Sequence, residues 1–152
     1  MADEGLAAET VCQVALVVKD IEKASKAWAE ALGLPVPEAS LTGPAEETGA
    51  RYHGRPTAAR ARLAFFNLGP ITIELIEPVG GPSTWRDGLG EGGEAAFHHL
   101  AFHVRDAERT VERLRAQGME VVQMGDFPGG RYIYVDGRER LGVTLELLAS
   151  RP

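Results

Sequence analysis

Apolar and polar positions along the chain fall into two kinds of segment, and the same succession of segments occurs twice. Residues 13–18 and 99–104 are short runs rich in β-branched, aliphatic or aromatic side chains, which read as strands. Behind each run stands an aspartate, Asp20 or Asp106, where a helix N-cap belongs. Ile21, Ala24, Trp28 and Ala31 then recur at helical spacing, as do Ala107, Val111 and Leu114. Gly33 and Gly118 are placed to end these helices in a left-handed turn. Further on, residues 62–67 and 71–76 alternate as two strands around Gly69-Pro70, and residues 132–135 and 143–148 repeat that hairpin.

Superposing the two halves shows how close the repeat is. With Gln13 set over His99, Ala15, Val18, Asp20 and Glu22 fall on Ala101, Val104, Asp106 and Glu108. Lys19 and Lys23 fall on Arg105 and Arg109, so the charge sign is kept as well. Each half closes on one apolar phrase, Ile73-Glu74-Leu75 and Leu145-Glu146-Leu147. The expected organisation over residues 1–152 is a single domain of two modules, about 11–78 and 96–149, with a linker at 79–95. Each module is a strand, a helix and then two or three strands. The first module also carries a polar, Gly- and Pro-rich stretch at 37–60, long for a connection and suited to a lid, with one irregular strand expected near 51–53. In the linker, Ser83 is placed to cap a short helix.

Composition narrows the function classes. The chain has 152 residues, 44% hydrophobic and 25% charged, which is ordinary for a globular protein. Sixteen Lys and Arg against twenty-two Asp and Glu leave a net charge of −6, the wrong sign for nucleic acid. Apolar runs all fall short of the roughly 20 residues that span a bilayer. The acidic start, Met1 to Gly5, lacks the features of a secretion signal, and the one cysteine, Cys12, has no partner in the chain. A cytoplasmic protein is the expectation.

Four polar residues occupy equivalent places in the two modules: Gln13 and His99 on the opening strands, Glu74 and Glu146 on the closing strands. Gln13 shares a face with Ala15 and Val17, while Val14, Leu16 and Val18 point toward the helix. Glu74 and Glu146 each interrupt an apolar strand, where a carboxylate is costly to bury unless it is paired or holds a cation. Singly, each has an ordinary structural reading: a polar strand end, a solvated face, a hydrogen-bonded core histidine. Jointly they would converge if the modules face one another. His98, next to His99, points to the opposite face of a regular strand and reads as structural.

The chain resembles the vicinal oxygen chelate superfamily, which includes glyoxalase I, methylmalonyl-CoA epimerase, extradiol dioxygenases and bleomycin-resistance proteins. The resemblance runs from Val11 to Ala149 and is most specific at Ile73-Glu74-Leu75-Ile76-Glu77-Pro78, Phe97-His98-His99-Leu100-Ala101-Phe102 and Leu145-Glu146-Leu147. It implies an α+β fold in which two paired βαβββ modules form a cup-shaped half-barrel around a metal site. Carried over residue by residue, the metal ligands are Gln13, Glu74, His99 and Glu146, a hard-donor set suited to divalent Zn, Co, Ni, Mn or Mg. The implied chemistry is proton transfer next to a carbonyl held on the metal, with Glu146 as ligand and base. Apart from the resemblance, Glu46 or Glu47 on the long polar stretch is a candidate second base.

Within the family, a single His in the set disfavours oxygenase chemistry. Val17 and Pro78 stand where the human-type glyoxalases place their glutathione-binding arginine and an asparagine. The phrase from Glu74 to Pro78, the linker and His98 to Phe102 resemble methylmalonyl-CoA epimerase more closely, although Gln13 replaces its usual His and residues 125–131 replace its Gly-Ala-His-Gly loop. An acyl-CoA is thus the first expected substrate and a glutathione thiol adduct the second, with non-catalytic binding of a small molecule as the alternative from another class. His103, Trp85 and Arg86 are the expected substrate contacts, and a homodimer the expected assembly.

Overall fold

The computed structural model describes residues 11–150. In the first half, β1 (Val11–Val18) leads to α1 (Ile21–Leu32), then to the short pieces β2 (Ser40–Leu41), α2 (Ala45–Thr48), β3 (Arg51–Tyr52) and β4 (Arg55–Pro56), and to the hairpin β5 (Arg60–Leu68) and β6 (Ile71–Val79). After the linker helix α3 (Thr84–Leu89), the second half runs β7 (Ala95–His103), α4 (Ala107–Ala116), β8 (Val121–Phe127), β9 (Gly130–Gly137), α5 (Arg138–Leu141) and β10 (Val143–Ser150). The capping expectations hold in detail. Asp20 accepts from Lys23 N and Asp106 from Arg109 N, Gly33 and Gly118 have φ of +69° and +87°, and Ser83 accepts from Arg86 N to open α3. No helix of the described residues is long and apolar enough to cross a membrane.

All ten strands form one curled mixed sheet in the order β2-β5-β6-β1-β7-β10-β9-β8-β3-β4. Its centre is the antiparallel pair β1–β7, which joins the two modules, and each opening strand runs parallel to its own closing strand, β1 to β6 and β7 to β10. Period-two alternation then sorts the side chains. Val18, Leu75 and Phe66 pack under α1, and Val111, Leu114, Leu145 and Leu147 form the matching layer with α4. Ala15, Val17, Ala61, Ile76, Trp85 and Tyr134 make a third core inside the curl.

Two details depart from the sequence expectation. β7 carries an extra residue: Ala15 pairs with His99 but Leu16 pairs with Phe97, so His98 is a β-bulge. A bulge lets two successive side chains lie on one side, and both His98 and His99 are buried. His98 therefore does not point away from the site. The second concerns residues 125–131, whose first three continue strand β8 and leave a tight turn at Pro128-Gly129 in place of a loop. β8 in turn receives the irregular strand of the first module, for Arg51 and Tyr52 pair with Met124 and Gln123. The long stretch is thereby a strap, anchored at β5 and pinned to the far edge of the second module.

Candidate active site

Two alanines make the room for the site. Ala15 and Ala101 are wholly buried and hold equivalent places in β1 and β7. In the sheet Ala15 lies between His99 and Glu74, and Ala101 lies between Gln13 and Glu146. Each methyl group is flanked by long polar side chains that reach over it toward the same point. His99 Nε2 stands 3.3 Å from Gln13 Oε1, 3.4 Å from Glu146 Oε1 and 3.7 Å from Glu74 Oε1. The structure thus brings together the four residues that the repeat singles out.

The Gln13 amide has two settings. With nitrogen inward it would donate to Glu146 Oε1 at 3.1 Å and Glu74 Oε1 at 3.3 Å; with oxygen inward, as placed, three carboxylate and amide oxygens and an imidazole nitrogen crowd one space. The second setting needs positive charge among these atoms, a proton on one of them or a cation held by all four. Cis donors around an octahedral ion with bonds near 2.1 Å are about 3.0 Å apart, somewhat below the 3.3–3.7 Å that separate His99 Nε2 from the other three donors. The donor set therefore fits a divalent ion. Burial, and then the neighbouring Glu146, push the Glu74 carboxyl well above the usual carboxylate range.

Behind His99 lies the bulged histidine. Their Nδ1 atoms are 2.7 Å apart, so the contact needs a proton on one and a lone pair on the other. Burial drives His98 down to about 3, with His99 adding to the effect and a backbone hydrogen bond at Thr84 opposing it. A neutral His98 that accepts from His99 Nδ1–H leaves the Nε2 lone pair of His99 aimed at the carboxylates, the arrangement a metal-binding histidine needs.

Above the quartet opens a cavity of about 880 Å³, lined by Gln13, Glu74, Glu146, Tyr132, Tyr134, Trp85 and His103 below, and by Thr42, Gly43, Glu47 and Thr48 of the strap. Trp85 is buried and its indole donates to Tyr134 Oη at 2.9 Å. His103 borders the cavity from an exposed position, whereas Arg86 does not line it and donates to the Gly80 carbonyl instead. Of the two loop acids, Glu47 lines the cavity and Glu46 does not. Tyr132 and Tyr134 are the site residues that sequence reasoning overlooks. They read there as strand apolars, and their alternation with Ile133 was the only available signal of an inward face. A second acidic group, Asp20, Glu22 and Glu77, lies outside and is structural: Arg62 pairs with Glu22 and Glu77, and Glu77 accepts from Ile21 N.

Comparison with known proteins agrees with this geometry. The sequence model of the Glyoxalase/Bleomycin resistance protein/Dioxygenase superfamily matches residues 12–135. The chain is 31% identical over 149 residues to a 2-epi-5-epi-valiolone epimerase from Actinomyces sp, covering 93% of this chain and 79% of that one. It is 29% identical to the mitochondrial methylmalonyl-CoA epimerase of Homo sapiens, over 88% of this chain and 70% of that one. Its fold matches the crystal structure of methylmalonyl-CoA epimerase from Mycobacterium tuberculosis with a TM-score of 0.61 at 22% identity, over 93% of this chain and 87% of that one. The duplicated half-barrel, with its polar residues gathered over two central alanines, is thus the fold of a known group, and the chain belongs to the glyoxalase/bleomycin resistance/dioxygenase superfamily, in which its curated relatives include epimerases.

Proposed function

We propose that the protein is a metal-dependent epimerase that removes and returns a proton at the carbon beside a carbonyl. The observation that carries this reading is the convergence of Gln13, Glu74, His99 and Glu146 on one buried point beneath the cavity. These four would hold a divalent ion, which when bound serves as a Lewis acid toward the substrate's carbonyl oxygen and makes the neighbouring C–H acidic. Glu146 would take that proton: the C–H bond breaks, its electron pair moves onto the carbonyl oxygen, and the proton passes to the carboxylate. Glu47, which lines the cavity from the strap, would deliver a proton to the other face, which inverts the centre. Tyr134, Trp85 and the strap keep bulk water from the carbon while its charge is delocalised.

An acyl-CoA of the methylmalonyl type is the first substrate reading, in line with the human relative and the size of the cavity. An uncharged ketone such as a valiolone is the second. It is favoured by the lining itself: among the described residues the cavity presents Glu47, Glu74, Asp126 and Glu146 but neither Lys nor Arg.

The test is exchange of solvent deuterium into methylmalonyl-CoA and into a valiolone by protein purified without chelator, with its metal content measured alongside. Glu146→Gln keeps one donor oxygen but holds a proton poorly, so turnover should fall by about 10² to 10⁴, as for loss of a general base, while the chain stays folded and keeps metal. Full exchange by this variant would move the base elsewhere, and a metal-free wild type that binds either compound without exchange would make the protein a carrier.

A further inference from the structure

Trp85 and Gln123 dictate which way two phenols face. An indole N–H can only donate. Since Trp85 Nε1 lies 2.9 Å from Tyr134 Oη, the Tyr134 oxygen is the acceptor there. Gln123, itself buried, accepts the Thr84 backbone N–H at its Oε1 at 2.7 Å, which turns its amide nitrogen to Tyr132 Oη at 3.2 Å. That oxygen is again the acceptor. Each phenol thus keeps its own hydrogen to give, and neither hydrogen meets an acceptor among the described residues.

Both phenols border the cavity next to the quartet. Tyr134 is opposite Glu146 in the β9–β10 register, with its ring centre 4.9 Å from that of His99 and 5.1 Å from that of Tyr132. An ordinary phenol, with a pKa of about 10, is protonated at neutral pH, so Tyr134 is a donor there. In a wall otherwise rich in carboxylates, a buried O–H beside the quartet is a place for an electron-rich oxygen.

We propose that Tyr134, supported by Tyr132, donates its O–H to the same carbonyl oxygen that the ion would polarise, the oxygen that becomes negative as the proton leaves. This inference rests on the epimerase reading but is tested without turnover. The probe is acetohydroxamate, a chelating oxygen anion, titrated calorimetrically into the metal-loaded full chain. Tyr134→Phe should weaken its binding about 10- to 100-fold, the range for a hydrogen bond to a charged acceptor, with metal affinity unchanged. Tyr132→Phe should weaken it less, and Trp85→Phe, which keeps the phenol but frees its direction, should fall between them. With a turned-over substrate, Tyr134→Phe should lower kcat and leave KM within about threefold.

Equal hydroxamate affinity in wild type and Tyr134→Phe overturns the inference, as does no binding by either, or a loss matched by an equal loss of metal affinity. Should Tyr134→Phe fail to fold, unchanged binding by both Tyr132→Phe and Trp85→Phe overturns it instead. A chain that grips hydroxamate through Tyr134 yet exchanges no deuterium keeps this inference and loses the epimerase function.

Discussion

Single residues at the floor of the cup owe their chemistry to partners distant in sequence. Burial pushes Tyr132 up to about 12, with Glu146 and Asp126 adding to it against the Gln123 hydrogen bond, and pushes Tyr134 well up also. A phenol whose folded pKa exceeds its unfolded value of about 10 lends stability that is complete below pH 10 and is lost as pH rises toward the folded value. Absorbance near 295 nm should therefore show these two phenolates forming only together with unfolding, above pH 10. A midpoint near 10 for either phenol in the folded chain would show that its ring is solvated. How legible such residues are follows from where their information lies. Gln13, Glu74, His99 and Glu146 were readable because duplication marks the same places twice. His98 was not, since a bulge adds one residue without altering composition or hydropathy. Tyr132 and Tyr134 were readable as strand and not as donors, because Trp85 and Gln123, which set their direction, lie in α3 and β8.

Among the elements, α3 has a larger part than its six residues suggest. Ser83 caps it, Thr84 holds Gln123, Trp85 holds Tyr134, and Gly88 lies flat against the bulged histidine. A Cβ at Gly88 would stand 3.0 Å from His98 Cδ2 and 3.6 Å from Val17 Cγ2. The His98 ring has no room to yield, being packed against His99 and Tyr134. Gly88→Ala should accordingly forgo the roughly 0.5–1 kcal/mol that this change usually adds to a helix, and should weaken metal binding by turning the ring that orients His99. Thermal unfolding and a metal titration on one sample would decide it. A more stable variant with unaltered metal affinity would mean that α3 does not brace the histidine pair. The sequence pattern disclosed α3 through its serine cap, and the strap's strand through Arg51 and Tyr52, but not the long-range pairing of that strand with β8.

Taken whole, the molecule draws its candidate ligands equally from both modules, so a bound ion would fasten the halves across β1–β7. Folding and metal binding are then linked. At a hundred times its dissociation constant, a divalent ion should add about 2.7 kcal/mol, a rise of about 5–10 °C in Tm for a chain of this size. Calorimetry with and without metal would read the shift, and His99→Ala should abolish it. A Tm indifferent to every divalent ion tried would remove the quartet from metal chemistry. The duplicated architecture was legible because both copies keep their caps, helix stops and closing phrase. What breaks the symmetry, the strap, was legible only as a polar stretch of unusual length.

That strap has a consequence for how the chain is made. β3 and β4 emerge from the ribosome well before β8, about seventy residues downstream, so at 5–20 residues per second their binding edge waits several seconds without its partner. For that interval two short strands would be open to any neighbouring nascent chain. Arg51, Arg55 and Pro56 answer that hazard, since like charges repel a second copy and a proline has no N–H to offer it. The segment that completes the cup last is thus written to stay solitary until its own second half arrives.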